Sequence, residues 1–561
     1  MDDAPIHKRR WVILGVLVIC LLVVILDNTI LNVALKTVQQ DLGASQSQMQ
    51  WAVDSYALVF AGLLITGGVL GDRLGRKWVL LFGMAAFGAT SALCSFATSP
   101  TQLIFFRALM GIGAAAVQPQ TLSIIQNVFD PSERPKAIGI WAGASGMAVA
   151  IGPIAGGALL KYFWWGSIFL VNVPFVIAGV IAIVLVVPNS KNPSPGRLDP
   201  LGVLLSIVAL VTLVYGVIQG GNSNEWLRWN ALGAILLGSA LLALFLYTQA
   251  RSTHPTIDVH LFKNRHFSAG VAAIAVTFFV LMGSTFYLAY FLQAVRGYTA
   301  LAAGVALVAV AAAIMIASPL SARLSARFGP RIVTGSGLAI FGVSIAAYGL
   351  ATRTMPQWVI EVLMVGFGVG MGLVMTPATN SIMSAVPREK AGVGAGVNNT
   401  VRQVAAALGV AVLGSILAVA FRNNLGADAP ARLAAQLDQP AAVAQLPAAA
   451  KVGTYVKHDS SESIGGALEF VGNAAGALEQ RAELSGGTAS PAQVQQGRLA
   501  IAAFVNDAKD SFMTAMRITS VIAGLIGLLG SVAAFAYMPT RREHALHTAS
   551  GRAPTDEPAV A

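Results

Sequence analysis

Residues 11–35 read WVILGVLVICLLVVILDNTILNVAL, an apolar run whose one charged side chain is Asp27. At 1.5 Å per residue such a run extends about 37 Å, enough to cross a bilayer core of roughly 30 Å. It is too long for the apolar region of a signal peptide, and no small-residue cleavage pattern follows it. Lys8-Arg9-Arg10 is therefore read as the cytoplasmic lead into a first spanning helix. The rest of the chain repeats the theme. Its 561 residues are 56% hydrophobic and 11% charged, with a mean hydropathy of +0.70, whereas soluble chains carry roughly 25% charged residues. A string of soluble domains, a disordered chain and a disulfide scaffold are all excluded. Cys20 and Cys94 both fall inside apolar blocks and say nothing about redox compartment. The net charge of +11 comes from basic residues placed between apolar blocks, which points to a membrane rather than to nucleic acid.

The blocks predict spanning helices at 11–35, 51–70, 78–98, 102–126, 136–160, 165–187, 200–219, 230–249, 267–294, 299–320, 331–351, 357–381, 397–420 and 514–537. That is an all-α integral membrane protein with 14 transmembrane helices and both termini in the cytoplasm. With that orientation the cytoplasmic segments hold 21 of the 36 Lys and Arg residues. The short outer loops hold Lys36, Lys161, Arg228, Arg296 and Arg353, in keeping with the positive-inside rule. One outer connection, 421–513, is far longer than the others. It is rich in Ala, Gln and Gly, and short amphipathic helices are expected near its end, around Leu499, Phe504 and Phe512.

GGVLGDRLGRK (67–77) and SARLSARFGPR (321–331) match when shifted by 254 residues, with Asp72 falling on Ala326. This weak repeat predicts two six-helix bundles. The division is a cytoplasmic N-terminus (1–10), an N-terminal bundle (11–187), a linker with two extra helices (188–266), a C-terminal bundle (267–537) and a cytoplasmic tail (538–561). Internally repeated bundles around a midplane cavity are a common architecture of secondary transporters. No G-x-x-x-x-G-K-S/T motif is present to bind ATP, no spacing of the seven His residues makes a metal site, and no nucleophile–base arrangement stands out. The expectation is a transporter and not an enzyme, with no cofactor, no metal and no nucleic-acid partner, powered by a proton gradient.

Charged residues inside spans cost about 2.5–3.5 kcal/mol each on insertion scales and are functional candidates by default. Asp27 lies about 24 Å into span 1, and Arg107 and Asp54 about 8 Å and 5 Å below the outer ends of spans 4 and 2. Asp27 is the candidate proton carrier, Arg107 its electrostatic switch and Asp54 a second carboxylate for protons or cationic substrate. A structural ion pair between Asp27 and Arg107, and a solvated surface position for Asp54, are the competing readings. In the loop at 67–77, Gly68 and Gly75 allow a tight turn. Arg73, Arg76 and Lys77 satisfy topology, and Asp72 is a candidate latch against a helix N-terminus. Gly152-Pro153-Ile154-Ala155-Gly156-Gly157 predicts a kinked, closely packed hinge in span 5, or ordinary small-residue packing. Asn398, Asn399, Arg402 and Gln403 share one face of span 13, lining a substrate cavity or hydrogen-bonding between helices.

With these residues the chain resembles the fourteen-span drug:proton antiporters of the major facilitator superfamily, over 11–420 and 514–537. LDNTILNVAL (26–35), GVLGDRLGRK (68–77), LIFFRALMGIGAA (103–115) and AIGPIAGG (150–157) are similar to that branch's motifs in span 1, the first inner loop, span 4 and span 5. The resemblance implies proton coupling at Asp27 and Arg107, a conformational latch at Asp72 and an antiporter hinge at Gly152, Pro153, Gly156 and Gly157. WAVDSY (51–56) resembles a stretch of exporters of quaternary ammonium compounds and dyes, and NNTVRQVAAALG (398–409) resembles antibiotic exporters; Asn32, within the span 1 motif, joins the candidate lining residues. Lys36 and Met110 depart from the pattern, as does the missing acid in the second inner loop. The implied activity is proton-coupled export, across the plasma membrane, of small hydrophobic, often cationic drugs or antibiotics. The partners are protons, these small molecules and the lipid bilayer. An endogenous lipid, siderophore or secondary metabolite is the alternative cargo. A transporter-like sensor whose 421–513 loop binds an unknown partner is a more distant alternative.

Overall fold

The computed structural model describes residues 4–44, 46–193, 199–223, 226–252, 255, 259–298, 300–426, 428–438, 464, 467–468, 470–475 and 491–541. The described residues are helical with short connections, and contain no strand. The long helices are α1 (Ala4–Asp41), α2 (Gln46–Leu74), α3 (Arg76–Ser95), α4 (Pro100–Val128), α5 (Arg134–Tyr162), α6 (Asn172–Val186, led in by the turn Ser167–Leu170) and α7 (Pro200–Ser223). They continue as α8 (Trp229–Arg251), α9 (Arg265–Tyr290), α10 (Ala300–Phe328), α11 (Pro330–Ala347), α12 (Gln357–Ser384), α13 (Ala391–Leu425) and α14 (Pro491–Tyr537). Among the described residues, 13 of these are long and apolar enough to cross a membrane. The remaining one, α5, is 29 residues long, so the architecture is consistent with fourteen spans in a multi-pass membrane protein.

Local signals start the helices. Ser99 caps α4 by accepting from the Gln102 N–H, with Pro100 at the first position, where its missing N–H costs nothing. Asn264 caps α9 in the same way, accepting from the His266 and Phe267 N–H groups.

α1–α6 pack among themselves, as do α9–α14, while α7 and α8 form a hairpin lying on α2 and α13. The halves meet where α5 packs on α10 and α2 packs on α13. The repeat is visible in the backbone. Gly75 and Gly329, which the 254-residue shift superposes, turn the chain into α3 and α11 with φ of 108° and 92°, a region that L side chains rarely adopt. Just after each turn a backbone N–H reaches the segment that leaves its bundle's last helix: Arg76 donates to Ser190 O at 2.9 Å and Arg331 to Pro539 O at 3.2 Å.

The helices outrun their apolar blocks. α13 continues to Leu425, a short helix follows at Ala429–Leu437, and α14 begins at Pro491 instead of near 514. The 421–513 connection is thus partly helical. The 47 residues of α14 extend about 70 Å, more than twice a bilayer core. The reason is composition: 491–513 keeps Ala and Gln, which favour a helix, while its Gln residues with Arg498, Asp507, Lys509 and Asp510 keep the stretch from being hydrophobic. Phe504 and Phe512 are buried while Leu499 is exposed, and Phe504 meets Phe470 edge-on at 5.8 Å.

Candidate functional site

The first cluster joins α1, α4 and α6. Asp27 and Arg107 are 1% and 0% exposed, and Arg107 Nη1 donates to Asp27 Oδ2 at 2.5 Å. The other carboxylate oxygen accepts from Asn172 Nδ2 at 3.1 Å, and that amide also reaches Ser91 Oγ. Arg107 Nε donates to Ala52 O at 3.2 Å, Nη1 lies 3.6 Å from Met110 Sδ, and the guanidinium stacks over the Tyr56 ring at 4.3 Å. Taking each ion out of water costs several kcal/mol, which only good geometry and further hydrogen bonds offset; breaking such a pair costs about 3–5 kcal/mol. A proton on Asp27 removes the negative member and leaves a guanidinium held only by neutral groups. The pair can therefore convert protonation into a rearrangement. Glycines bring α5 onto the same stretch of α1: a Cβ on Gly152 would overlap Thr29 Oγ1, and one on Gly156 would lie 3.2 Å from Ile30 O.

The second cluster bridges the halves at the face where α2 ends and α13 begins. The Asp72 carboxylate accepts from the Gly392 and Val393 N–H groups at 2.9 and 3.1 Å, on the N-terminus of α13. Unpaired N–H groups and the helix dipole both favour a negative charge there. Arg76, on the next helix, donates to Asp72 Oδ1 at 2.6 Å and to Arg388 O and Glu389 O across the interface. Gln126 on α4 donates to Met383 O at 2.8 Å. Gly68 lies against Gly392, whose carbonyl a Cβ would overlap. Lys77 donates to Val184 O within its own half, and Arg73 is half-buried.

A third cluster lies on α13, where Asn398, Asn399 and Arg402 share a buried face. Arg402 is 4% exposed; its Nη2 is 3.4 Å from Thr379 Oγ1, and its guanidinium stacks over Trp141 of α5 at 4.8 Å and Phe278 of α9 at 5.1 Å. Arg402 Nε and both side-chain polar atoms of Asn398 and of Asn399 are buried without a hydrogen-bond partner among the described residues. Two aromatic faces return about 0.5–2 kcal/mol each, less than the several kcal/mol of desolvation that a guanidinium pays. Gln403, next along the helix, is half-buried.

Asp54 is half-buried and leaves α2 away from the first cluster. Two residues turn a helix by about 200°, so Tyr56 and Ala52, both fully buried, point where Asp54 does not. The side chains of Asn32 and Pro153 lie outside the described residues, and Gly157 sits half-buried on α5. Sequence reasoning missed Asn172, Ser91, Tyr56, Trp141 and Phe278. Asn172 alone carries a signal, as an amide inside the apolar stretch LVNVPFVIAGV (170–180).

A family model described as Major Facilitator Superfamily matches residues 17–410. The multidrug efflux pump LfrA of Mycolicibacterium smegmatis is 36% identical over 76% of this chain and 84% of its own. The methyl viologen resistance protein SmvA of Salmonella typhimurium is 33% identical over 76% and 86%. The tetracenomycin C resistance and export protein of Streptomyces glaucescens is 31% identical over 74% and 77%. Among solved structures, the human organic anion transporter MFSD10 aligns with a TM-score of 0.55 at 16% identity, over 73% of this chain and 93% of that one. That likeness concerns the fold.

Proposed function

The chain belongs to the major facilitator superfamily, and from that premise we propose that it is a proton-coupled exporter of small hydrophobic, often cationic drugs or antibiotics, working by alternating access in the plasma membrane. The observation that carries the reading is the buried Asp27–Arg107 pair, held by Asn172 and placed well away from the bridged basic face. A proton arriving at Asp27 releases Arg107. Rearrangement then passes through α5, which packs both on α1, the helix of Asp27, and on α10 of the other half. The Asp72 bridge is the gate that closes the cytoplasmic side in this conformation, and opening it admits cargo. One proton crossing 100 mV releases about 2.3 kcal/mol before any pH gradient is counted. That is on the scale of the hydrogen bonds the gate must break, about 1.5–3 kcal/mol for one to a charged group.

The drug-resistance and efflux names of the relatives support drug export. A second reading, export of a secondary metabolite, is favoured by the tetracenomycin C relative. The test is movement of a panel of dyes and antibiotics into proteoliposomes under an imposed pH gradient. The native protein should move them and Asp27→Asn should not. Gradient-driven movement by that variant would remove the carrier role.

A further inference from the structure

We propose that Arg402, with the Asn398 and Asn399 amides beside it, is a recognition site for an anionic oxygen on the exported molecule, a carboxylate or an ionised phenol, with Trp141 and Phe278 taking the aromatic body that carries it. The inference rests on the export reading and narrows it: the cargo includes aromatic acids and zwitterions, not cations alone.

The chain leaves a charge unbalanced here. Arg402 is a buried cation facing no carboxylate among the described residues; its polar contact is a Thr379 hydroxyl at 3.4 Å. Among the described residues its Nε has no partner, and neither does either amide of the asparagines one turn before it, both 0% exposed. A structural arginine in a protein interior is paired or fully hydrogen-bonded, because an isolated charge out of water is costly. A structural asparagine at a helix interface spends its amide on a neighbouring helix. Here three side chains on one helix face do neither. Asn398 and Asn399 stand four and three residues before Arg402, the spacings that place each of them beside it on the helix surface. Guanidinium and amide N–H groups together make a cradle for an oxygen anion, and the planar fork of arginine suits a carboxylate best.

The site also lies where cargo must pass. Arg402 is five residues into the apolar block 397–420, about 8 Å inside the membrane from the basic end of α13, so it is sunk below the surface on the side where the halves are bridged. Its aromatic neighbours belong to both halves, Trp141 to α5 and Phe278 to α9, so the site straddles the line along which the bundles part. When they part, the rings that now flank the guanidinium become free to flank a planar ligand whose anionic group meets Arg402.

Rhodamine B and its ethyl ester provide the test, because they differ in one ionised carboxylate and share the same cationic ring system. Both are measured in proteoliposomes under a pH gradient with the native protein, Arg402→Gln and Arg402→Lys. Arg402→Gln should raise the half-saturating concentration of the carboxylate dye at least tenfold and leave that of the ester within about twofold; Arg402→Lys should fall between. Parallel loss of both dyes, or no change in either, overturns the proposal. If Arg402→Gln does not yield monodisperse protein in detergent, Asn399→Ala carries the same split. Should the native protein move neither dye, the export reading fails on its own. Equilibrium binding of the two dyes to native and variant protein, followed by fluorescence anisotropy, still decides the anion site.

Discussion

Among the described residues, two of the buried guanidinium groups, those of Arg107 and Arg402, lie within apolar blocks, and they are held in opposite ways. Arg107 has a carboxylate at 2.5 Å, a backbone carbonyl, a sulfur and two aromatic faces, Tyr56 at 4.3 Å and Phe169 at 5.9 Å, all from its own half. Arg402 has two aromatic faces and one long hydroxyl contact, and one of those faces comes from the other half. Burial is nearly the same for both, so the difference lies in what balances the charge. In the first case the balance is a titratable group, which a proton can cancel. In the second the described residues supply no balance, and the charge is available to something that arrives. On the proposed reading, one arginine is released by a proton and the other is met by cargo.

Making Arg107 resemble Arg402 has the largest expected effect. Asp27→Asn keeps the shape and the Asn172 neighbour but removes the charge, and gradient-driven transport should fall to background while the protein stays folded. Both variants leave an uncompensated buried guanidinium, a loss of about 3–5 kcal/mol, and Asp27→Ala should lose more than Asp27→Asn because it also removes the side-chain oxygen that accepts from Arg107. Thermal unfolding of the two variants in detergent separates the effects. Unfolding temperatures equal to that of the native protein would mean that the pair contributes no net stability.

The reverse exchange makes Arg402 resemble Arg107. Thr379→Asp puts a carboxylate where the hydroxyl now approaches Nη2. With its charge satisfied from within, Arg402 should lose its preference for a carboxylate dye by roughly tenfold, about 1.4 kcal/mol, and the ester should be unaffected. A preference that survives Thr379→Asp would show that the cargo's anion is read elsewhere.

How far these two arginines can be read beforehand follows from the physics of each. A charged letter inside an apolar block is visible because insertion is costly, so Asp27, Arg107 and Arg402 all stand out. The first turn of the repeat is legible through Gly75 and Gly329, whose backbone angles only glycine adopts readily. Partners are not legible. For Asp72 the sequence suggests a helix N-terminus but not which one, because the Gly392 and Val393 N–H groups that hold it are backbone donors and leave no mark in a sequence. Trp141 and Phe278 look like ordinary core residues until a guanidinium is found between them. Asp54 is the opposite case: it nearly adjoins Tyr56 in the chain but faces the other way around the helix. The length of α14 is hidden because hydropathy begins near 514 while helix-forming residues begin at 491.

A third kind of balance crosses between the halves. Asp72 belongs to the N-terminal half and its acceptor atoms serve α13 of the other. Asp72→Asn exchanges charge-assisted bonds for neutral ones, a loss of about 1.5–3 kcal/mol, and should move the balance of closed and open basic faces by roughly ten- to a hundredfold. Spin labels at the exposed positions Leu74 and Phe328, one in each half, report that balance as a distance distribution. An unchanged distribution would mean that the gate is held by packing at Gly68 and Gly392 and not by the carboxylate.

The smallest effect is expected from another arginine, which serves as a control on solvent. Arg353, in the connection between α11 and α12, reaches Asp510 on α14 at 2.7 Å, nearly the spacing of the Arg107–Asp27 pair. The geometry is alike, but the Asp510 side chain is 71% exposed against 1% for Asp27. In water the two ions lose little solvation on meeting and gain little from each other, so an exposed pair contributes about 0.2–1 kcal/mol where breaking a buried one costs about 3–5 kcal/mol. Arg353→Ala should therefore leave transport of both rhodamine dyes unchanged and move the unfolding temperature by no more than a degree or two. A large loss would mean that the extension of α14 ahead of its apolar block is a working part of the transport cycle. The contrast between Arg107 and Arg402 would then have to be drawn as a matter of position and not of charge balance.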